Sequence, residues 1–373
     1  MKKLLAIILC LCTLFVFAAC SGTPATNDGS NDDGNTPDAN DPSTSTSTST
    51  EAEYKLGMGV VVSMDSSATN NAQVDATVAT VVTDADGKIV ACRIDVAQNK
   101  MNVADGAVDT AKKFETKMEL GSRYGMAGKV DNNDDGVMLE WDAQAKAFEA
   151  WVVGKTAAEV KAMGTTEAKG HTIATDKALL EAGCSMQITD FRDAVVAACE
   201  DEQGVAFKTA ADFTLGVAAT TSAADSKAAT AEENGLVAMY TDFAAAVVAD
   251  GKIIAALNDA IQPKITIDAE GKIVDKAYTA TKRNLKENYN MAKFGASMDW
   301  NGDGKVLEWY LQSEAFSKYV VGKTADEVAG LETQVVEGAG YVISADDALL
   351  SAGCTIQITA IKAVVAQSVK NAR

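Results

Sequence analysis

Ala178-Leu179-Leu180-Glu181-Ala182-Gly183-Cys184-Ser185-Met186-Gln187-Ile188-Thr189 returns near the C-terminus as Ala348-Leu349-Leu350-Ser351-Ala352-Gly353-Cys354-Thr355-Ile356-Gln357-Ile358-Thr359. A core strand drifts freely among Val, Ile and Leu, but here small residues and a hydroxyl keep one order. Working outward, Val153-Gly154-Lys155-Thr156-Ala157 with Glu159-Val160 recurs as Val321-Gly322-Lys323-Thr324-Ala325 with Glu327-Val328. Leu139-Glu140-Trp141 recurs as Leu307-Glu308-Trp309, and Asp86-Gly87-Lys88-Ile89 as Asp250-Gly251-Lys252-Ile253. Tyr54-Lys55-Leu56-Gly57 has a looser echo in Phe213-Thr214-Leu215-Gly216. Such self-similarity marks a duplicated unit, and each copy, at about 150 to 160 residues, is the size of one domain. The division is placed at 54–205 and 206–373, in a stretch where charge and Gly interrupt the pattern.

Within the first copy, 59–64 and 75–83 alternate as strands do. Asp84-Ala85-Asp86-Gly87 then turns the chain into a third alternating run at 88–96. The second copy repeats this hairpin at Asp250-Gly251 and offers another at Asp268-Ala269-Glu270-Gly271. Residues 109–120, 139–153 and 188–199 show helical spacing, the last after a predicted strand at 185–189. Strands first and helices after predict an α+β class: two tandem homologous domains, each an antiparallel sheet packed with helices.

The N-terminus reads as a lipoprotein signal peptide over 1–19. Lys2 and Lys3 precede a short apolar run ending at Ala18-Ala19-Cys20, with Cys20 the lipidated residue. Residues 20–53 lack the apolar side chains that bury a core, so they are expected to be a disordered tether. The formal net charge of −19 excludes nucleic acid as a partner. Of seven cysteines, Cys10 and Cys12 lie in the leader, and the sparse remainder is no disulfide framework, though a Cys92 to Cys199 bridge stays open. The single histidine, His171, sits in a polar, Gly-flanked stretch read as a surface loop, which removes bis-His haem and gives little support to Ser-His-Asp catalysis.

The repeated Ala-Gly-Cys-Ser/Thr string admits two readings from its residues. It is either a Gly bend entering a strand, with the hydroxyl bonded to nearby backbone, or a site that needs an aliphatic hydroxyl at Ser185 and Thr355. The string, the amphipathic helices expected after it and the lipoprotein start resemble the FMN-binding domain of the C subunit of the sodium-pumping NADH:quinone reductase and the G subunit of the Rnf complex. They are more similar still to two-domain flavin lipoproteins of Gram-positive extracellular electron transfer. In that family a Ser-Gly-Ala-Thr motif receives FMN from FAD through a phosphoester made by a flavin transferase. Here the motif becomes Ala-Gly-Cys-Ser and Ala-Gly-Cys-Thr, so the resemblance implies covalent FMN on Ser185 and Thr355, with Gly183, Cys184, Gly353 and Cys354 beside it. The two cysteines read otherwise as small apolar filler.

The resemblance further implies an electron carrier rather than an enzyme, lipid-anchored at the extracytoplasmic face of the cell membrane. It would take electrons from a membrane quinol-linked donor and pass them to iron or a free flavin. The competing reading is a non-redox surface lipoprotein that binds a solute or a cell-wall component. Flavin contacts are expected from Lys117, Tyr124, Met126 and Trp141, and from their counterparts Lys282, Tyr289, Met291 and Trp309, although their spacing also describes plain core. Finally, Asp131, Asn133, Asp135 and Asp299, Asn301, Asp303 fall at positions 1, 3 and 5 of calcium-type loops closed by Gly136 and Gly304. Position 12, where Glu should complete such a site, is Asp142 or Tyr310, with Glu308 two residues early, so an acidic turn before a helix is the alternative.

Overall fold

The computed structural model describes residues 51–293, 299–338 and 340–373. The signal peptide, Cys20 and the tether up to residue 50 lie outside the described residues. In the first half, strands β1 (Ala52–Ser63), β2 (Asn71–Asp84) and β3 (Ile89–Asn102) lead to the short helix α1 (Lys117–Leu120), then α2 (Trp141–Val152) and α3 (Ala157–Lys161). A small hairpin of β4 (Thr165–Ala168) and β5 (His171–Ala174) follows, then α4 (Lys177–Glu181) and α5 (Thr189–Cys199). Strand β6 (Val205–Thr209) crosses to the second half, which opens with β7 (Thr214–Ser222), β8 (Gly235–Val237), β9 (Tyr240–Ala249) and β10 (Lys252–Ile261). It continues through β11 (Lys264–Ile267), β12 (Ile273–Ala277), α6 (Lys282–Leu285), α7 (Trp309–Tyr319) and α8 (Ala325–Ala329). The hairpin of β13 (Thr333–Val335) and β14 (Val342–Ser344) precedes α9 (Asp347–Ser351) and α10 (Thr359–Lys370).

The class is α+β, with antiparallel sheets ordered β3-β2-β1-β6, β10-β9-β7 and β12-β11-β8 and two two-stranded hairpins. The turn residues account for the pairing. Asp84 Oδ1 accepts from the N–H groups of Asp86 and Lys88 at 3.0 and 2.9 Å, and Gly87 takes φ +74°. The second half uses a two-residue turn, with Asp250 and Gly251 at φ +49° and +74°, the positive-φ pair that suits a right-twisted hairpin. The repeated Gly-Lys-Thr-Ala-x-Glu string is a capping box. Thr156 and Thr324 each accept from the N–H three residues on, and Glu159 and Glu327 reach back.

Period-two alternation divides each sheet between two cores. On β2, Ala72, Val74, Ala76, Val78 and Val82 enter a cluster shared with Phe243, Ala245 and Val247 of β9, whereas Ala79 and Val81 face Phe148, Val195 and Phe191 of the first half's helices. On β10, Ala255 and Leu257 join the shared cluster, while Ala256 and Ala260 meet Trp309, Phe316 and Val365. The order is therefore helices, sheet, sheet, helices, and the central core draws on both halves. Polar links cross it as well. Asn99 Nδ2 donates to Thr221 and Thr241 Oγ1 at 3.0 and 3.2 Å, and the buried Arg283 guanidinium meets Asp201 at 3.2 Å.

Three expectations need correction. Residues 109–120 are helical only from Lys117, since the Thr116 cap and the Asp95 carboxyl of β3, which accepts from the Met118 N–H, fix the start there. Residues 185–189 are not a strand. The segment makes one ladder-like bond, Ile188 N–H to Thr172 O at 2.9 Å, and its counterpart Ile358 N–H to Val342 O at 3.1 Å, before helix begins at Thr189 and Thr359. His171 lies at the exposed start of β5 rather than in a loop, and Cys92 and Cys199 are free thiols. Among the described residues no helix is long and apolar enough to cross a membrane.

The closing helices α5 and α10 lie almost on the strand backbone. A Cβ on Gly57 would stand 1.9 Å from Ala198 O, and one on Gly216 1.8 Å from Ser368 O. Gly57→Ala and Gly216→Ala should each lower unfolding free energy by about 1 to 3 kcal/mol, the range of an overpacked core, read from urea midpoints. An unshifted midpoint would mean that the helix does not sit this close.

Candidate functional site

The hydroxyl-bearing turn is built the same way in both halves. Gly183 and Gly353 take φ +86° and +87°, a conformation that L side chains rarely adopt. A Cβ there would also run into Leu139 Cδ1 at 2.4 Å or Leu307 Cδ1 at 2.5 Å. That turn sends Cys184 and Cys354 into the apolar clusters beneath, where burial pushes both thiols up to about 12. They pack as apolar filler. Ser185 and Thr355 follow, at 1% and 3% exposure. Their N–H groups donate to Gln144 Oε1 at 3.0 Å and Gln312 Oε1 at 2.8 Å.

These glutamines, fully buried on α2 and α7, also donate to Leu139 O at 3.0 Å and Leu307 O at 2.7 Å. One amide thus joins the helix, the chain entering it and the hydroxyl turn. The hydroxyls themselves differ in partners. Ser185 Oγ is enclosed with no hydrogen-bond partner, and Thr355 Oγ1 has a long bond to Gln312 Oε1 at 3.3 Å.

The residues expected beside a cofactor assemble around this turn. The Lys117 ammonium lies 4.9 Å from the Tyr124 ring centre and 5.4 Å from that of Trp141. The Lys282 ammonium lies 5.2 Å from both Tyr289 and Trp309, within reach of cation–π attraction. Glu140 accepts from the N–H groups of Met126 and Ala127, and Glu308 from those of Met291 and Ala292, which fixes both methionines. Burial opposes ionisation of Glu140, but the amides of Met126, Ala127 and Trp141 outweigh it and hold the carboxyl below its ordinary range. In the second half Thr355, Lys282, Tyr289, Met291 and Trp309 line one cavity of about 820 Å³. Gly353 and Cys354 stand behind its wall. Trp300 and Tyr341, tilted against each other with ring centres 5.3 Å apart, line it too.

The acidic loops are closed on themselves. Asp131 accepts from the N–H groups of Asp135 and Gly136, Asp299 from those of Asp303 and Gly304, and Asp135 and Asp303 from those two residues on. Asn133 Nδ2 and Asn301 Nδ2 donate to Asp135 and Asp303, leaving Asn133 Oδ1 and Asn301 Oδ1 buried without a donor. The position-12 residues turn elsewhere: Asp142 to Lys146 at 2.7 Å, and Tyr310 to Glu287 at 2.8 Å. Glu308 is taken by its two amides. Among the described residues no group of three or more His, Cys, Asp or Glu could hold a metal ion.

Sequence reasoning missed Gln144, Gln312 and the gripping role of Glu140 and Glu308. The signal was present, since the repeated Leu-Glu-Trp string extends to a Gln three residues after each Trp. It also missed Asp95 and Asp259, buried in the middle of β3 and near the end of β10. Asp95 Oδ1 accepts from Val96 and Met118, and Asp259 Oδ1 from Ala260 and Arg283, so each seats the helix that carries the site lysine. Comparison with protein-family models, characterised proteins and solved structures finds no match.

Burial raises the Asp95 carboxyl to about 6, against hydrogen bonds from Thr116, Met118 and Val96. Its folded value exceeds an unfolded value of about 3.9. The stability it contributes is therefore complete below about pH 4 and lost as pH rises to about 6, a loss of roughly 3 kcal/mol. Asp95→Asn keeps the Oδ1 acceptor and should flatten the fall of unfolding free energy over that window. A slope as steep as wild type's would refute the assignment.

Proposed function

We propose that this chain is an electron carrier holding FMN covalently through Thr355, and through Ser185 where that hydroxyl is reached, in two copies of one flavin-holding domain at 54–205 and 206–373. The observation that carries this reading is the cavity. Five residues chosen from sequence line a space of about 820 Å³, inside the range of roughly 300–1,000 Å³ typical of ligand and cofactor sites.

The residues fit the group. A buried hydroxyl without a good acceptor costs about 1–3 kcal/mol, and esterification removes an O–H that has no partner on Ser185 and only a long bond on Thr355. In the attachment step Thr355 Oγ1 would form a bond to the FMN phosphorus of FAD, AMP would leave with the electrons of the broken pyrophosphate bond, and the hydroxyl proton would pass to solvent or the transferase. Trp309, Tyr289 and Met291 offer faces to the ring system, and Lys282 a cation. FMN, when bound, supplies the redox chemistry, and the chain's task is to seat and tune it.

The lipobox-like Ala18-Ala19-Cys20 supports a lipid anchor at the extracytoplasmic face of the membrane. The family resemblance supports a flavin transferase, a quinol-linked donor and iron or free flavin as acceptor. Co-expression of the mature chain with a flavin transferase, followed by intact mass, should give an adduct that Thr355→Ala abolishes in the second half and Ser185→Ala in the first. A colourless, unmodified chain would leave the non-redox binding lipoprotein as the better reading.

Calcium in the acidic loops is a second proposal, favoured by the enclosed Asn133 and Asn301 oxygens, which a cation would satisfy. Terbium should luminesce when Trp300 is excited, since that indole neighbours Asn301 in sequence, and Asp299→Ala should remove the signal. No sensitised emission at millimolar terbium would rule the site out.

A further inference from the structure

We infer that Trp300 and Tyr341 form a ring-stacking wall that selects a planar heteroaromatic group for the second half, and that Asn132 replaces this wall in the first half with a latch across its acceptor turn. The inference rests on the flavin reading of the cavity and deepens it.

Trp300 stands in the acidic loop and Tyr341 just before β14. Nothing in the chain's own core requires them to meet, yet their ring centres lie 5.3 Å apart with the planes tilted by 31°. Tyr341 is 42% exposed, so the pair is not held together by burial in a core. A half-buried indole set against an exposed phenol ring, both lining the cavity, offers aromatic surface to an occupant of that cavity. Trp309 and Tyr289, with the Lys282 ammonium beside both, supply further aromatic surface in the same cavity. Aromatic faces favour offset or edge contact with a second flat π-system, which is the shape of an isoalloxazine.

The first half aligns Asp131-Asn132-Asn133 with Asp299-Trp300-Asn301, and Gly170-His171-Thr172 with Gly340-Tyr341-Val342. Both aromatic positions are therefore changed at once. Asn132 is 6% exposed, and its Nδ2 donates to Ser185 O at 2.8 Å. The loop that carries the indole at the cavity in one half is tied down onto the hydroxyl turn in the other. Lys169 fastens it further, bonding to Asp134 at 2.6 Å and to Asp131 O. The two halves thus differ in what they admit, although their hydroxyl turns are alike.

Riboflavin tests this, because it has the ring system but no phosphate and cannot be esterified to the chain. Titrating the unflavinylated mature chain and following flavin fluorescence should show one equivalent bound and quenched. Trp300→Ala and Tyr341→Ala should each weaken that binding about tenfold. Trp300→Phe should restore most of it. Two equivalents of equal affinity would overturn the asymmetry, and unchanged affinity in both alanine variants would overturn the wall. Failure of wild type to bind riboflavin would overturn the inference while leaving covalent loading to the mass measurement. Conversely, riboflavin binding without any adduct would sustain the wall and sink the ester.

Discussion

The buried amide of Gln312, with Gln144 as its counterpart, is the contact on which the site depends. Its oxygen accepts from the N–H of Thr355 and its nitrogen donates to Leu307 O. Leu307 is also the side chain that leaves no room for a Cβ on Gly353. Helix, entering loop and hydroxyl turn are therefore held by one residue and one steric constraint. Without that amide the Thr355 N–H would be buried and unpaired, at a cost of about 1–3 kcal/mol, and the turn would lose the bond that sets its distance from α7. The glycine decides that the chain can turn there, and the glutamine decides where the hydroxyl stands after it.

The site is not the property of one half. Helix α6 carries Lys282 and is seated by Asp259 from below, but its next residue, Arg283, reaches Asp201 and Gln203 O of the first half. Asp201 in turn accepts from the N–H of Met58 in β1. Removing one member of such a buried pair strands the other charge, which commonly costs about 3–5 kcal/mol. The cation of the second cavity is thereby braced by the first sheet, and the shared core between β2 and β9 keeps that brace in register. Glu149 makes the reverse connection, pairing with Arg93 of its own half and with Arg373 at 2.6 Å.

Repetition made much of this legible. Turns at Asp84 and Asp250, the α2 and α7 helices and the hydroxyl turns all follow from residue types whose local physics is strong, and their recurrence doubled each signal. The strand expected at 185–189 failed because Ile188 and Met186 alternate as a strand would while their burial comes from helix packing. The helix expected from 109 failed because apolar spacing without a cap does not start a helix, and the cap is Thr116. Gln144 and Gln312 were visible in the repeat but carry no motif of their own. Trp300 and Tyr341 escaped for the opposite reason: a search for sameness passes over the positions at which the copies differ.

Electrostatics explains why a covalent link would suit this cavity. Asp225 and Asp242 line it together with Lys282. Burial raises Asp242 to about 6, with Lys282 pulling it down and Asp259 pushing it up, so at neutral pH it is largely ionised. A phosphate monoester entering near these groups brings close to two negative charges against one ammonium, and the surrounding chain is strongly acidic. Charge alone would hold it poorly: no arginine lines the cavity, and the first turns of α7 and α10, which reach it through Trp309, Ala360 and Ile361, set only partial positive charge against the two carboxylates. An ester to Thr355 removes one of the phosphate's charges and replaces affinity with a bond. It also leaves the aromatic faces and the methionine to set the ring, a division of labour that matches a cavity with many flat apolar walls and a single cation.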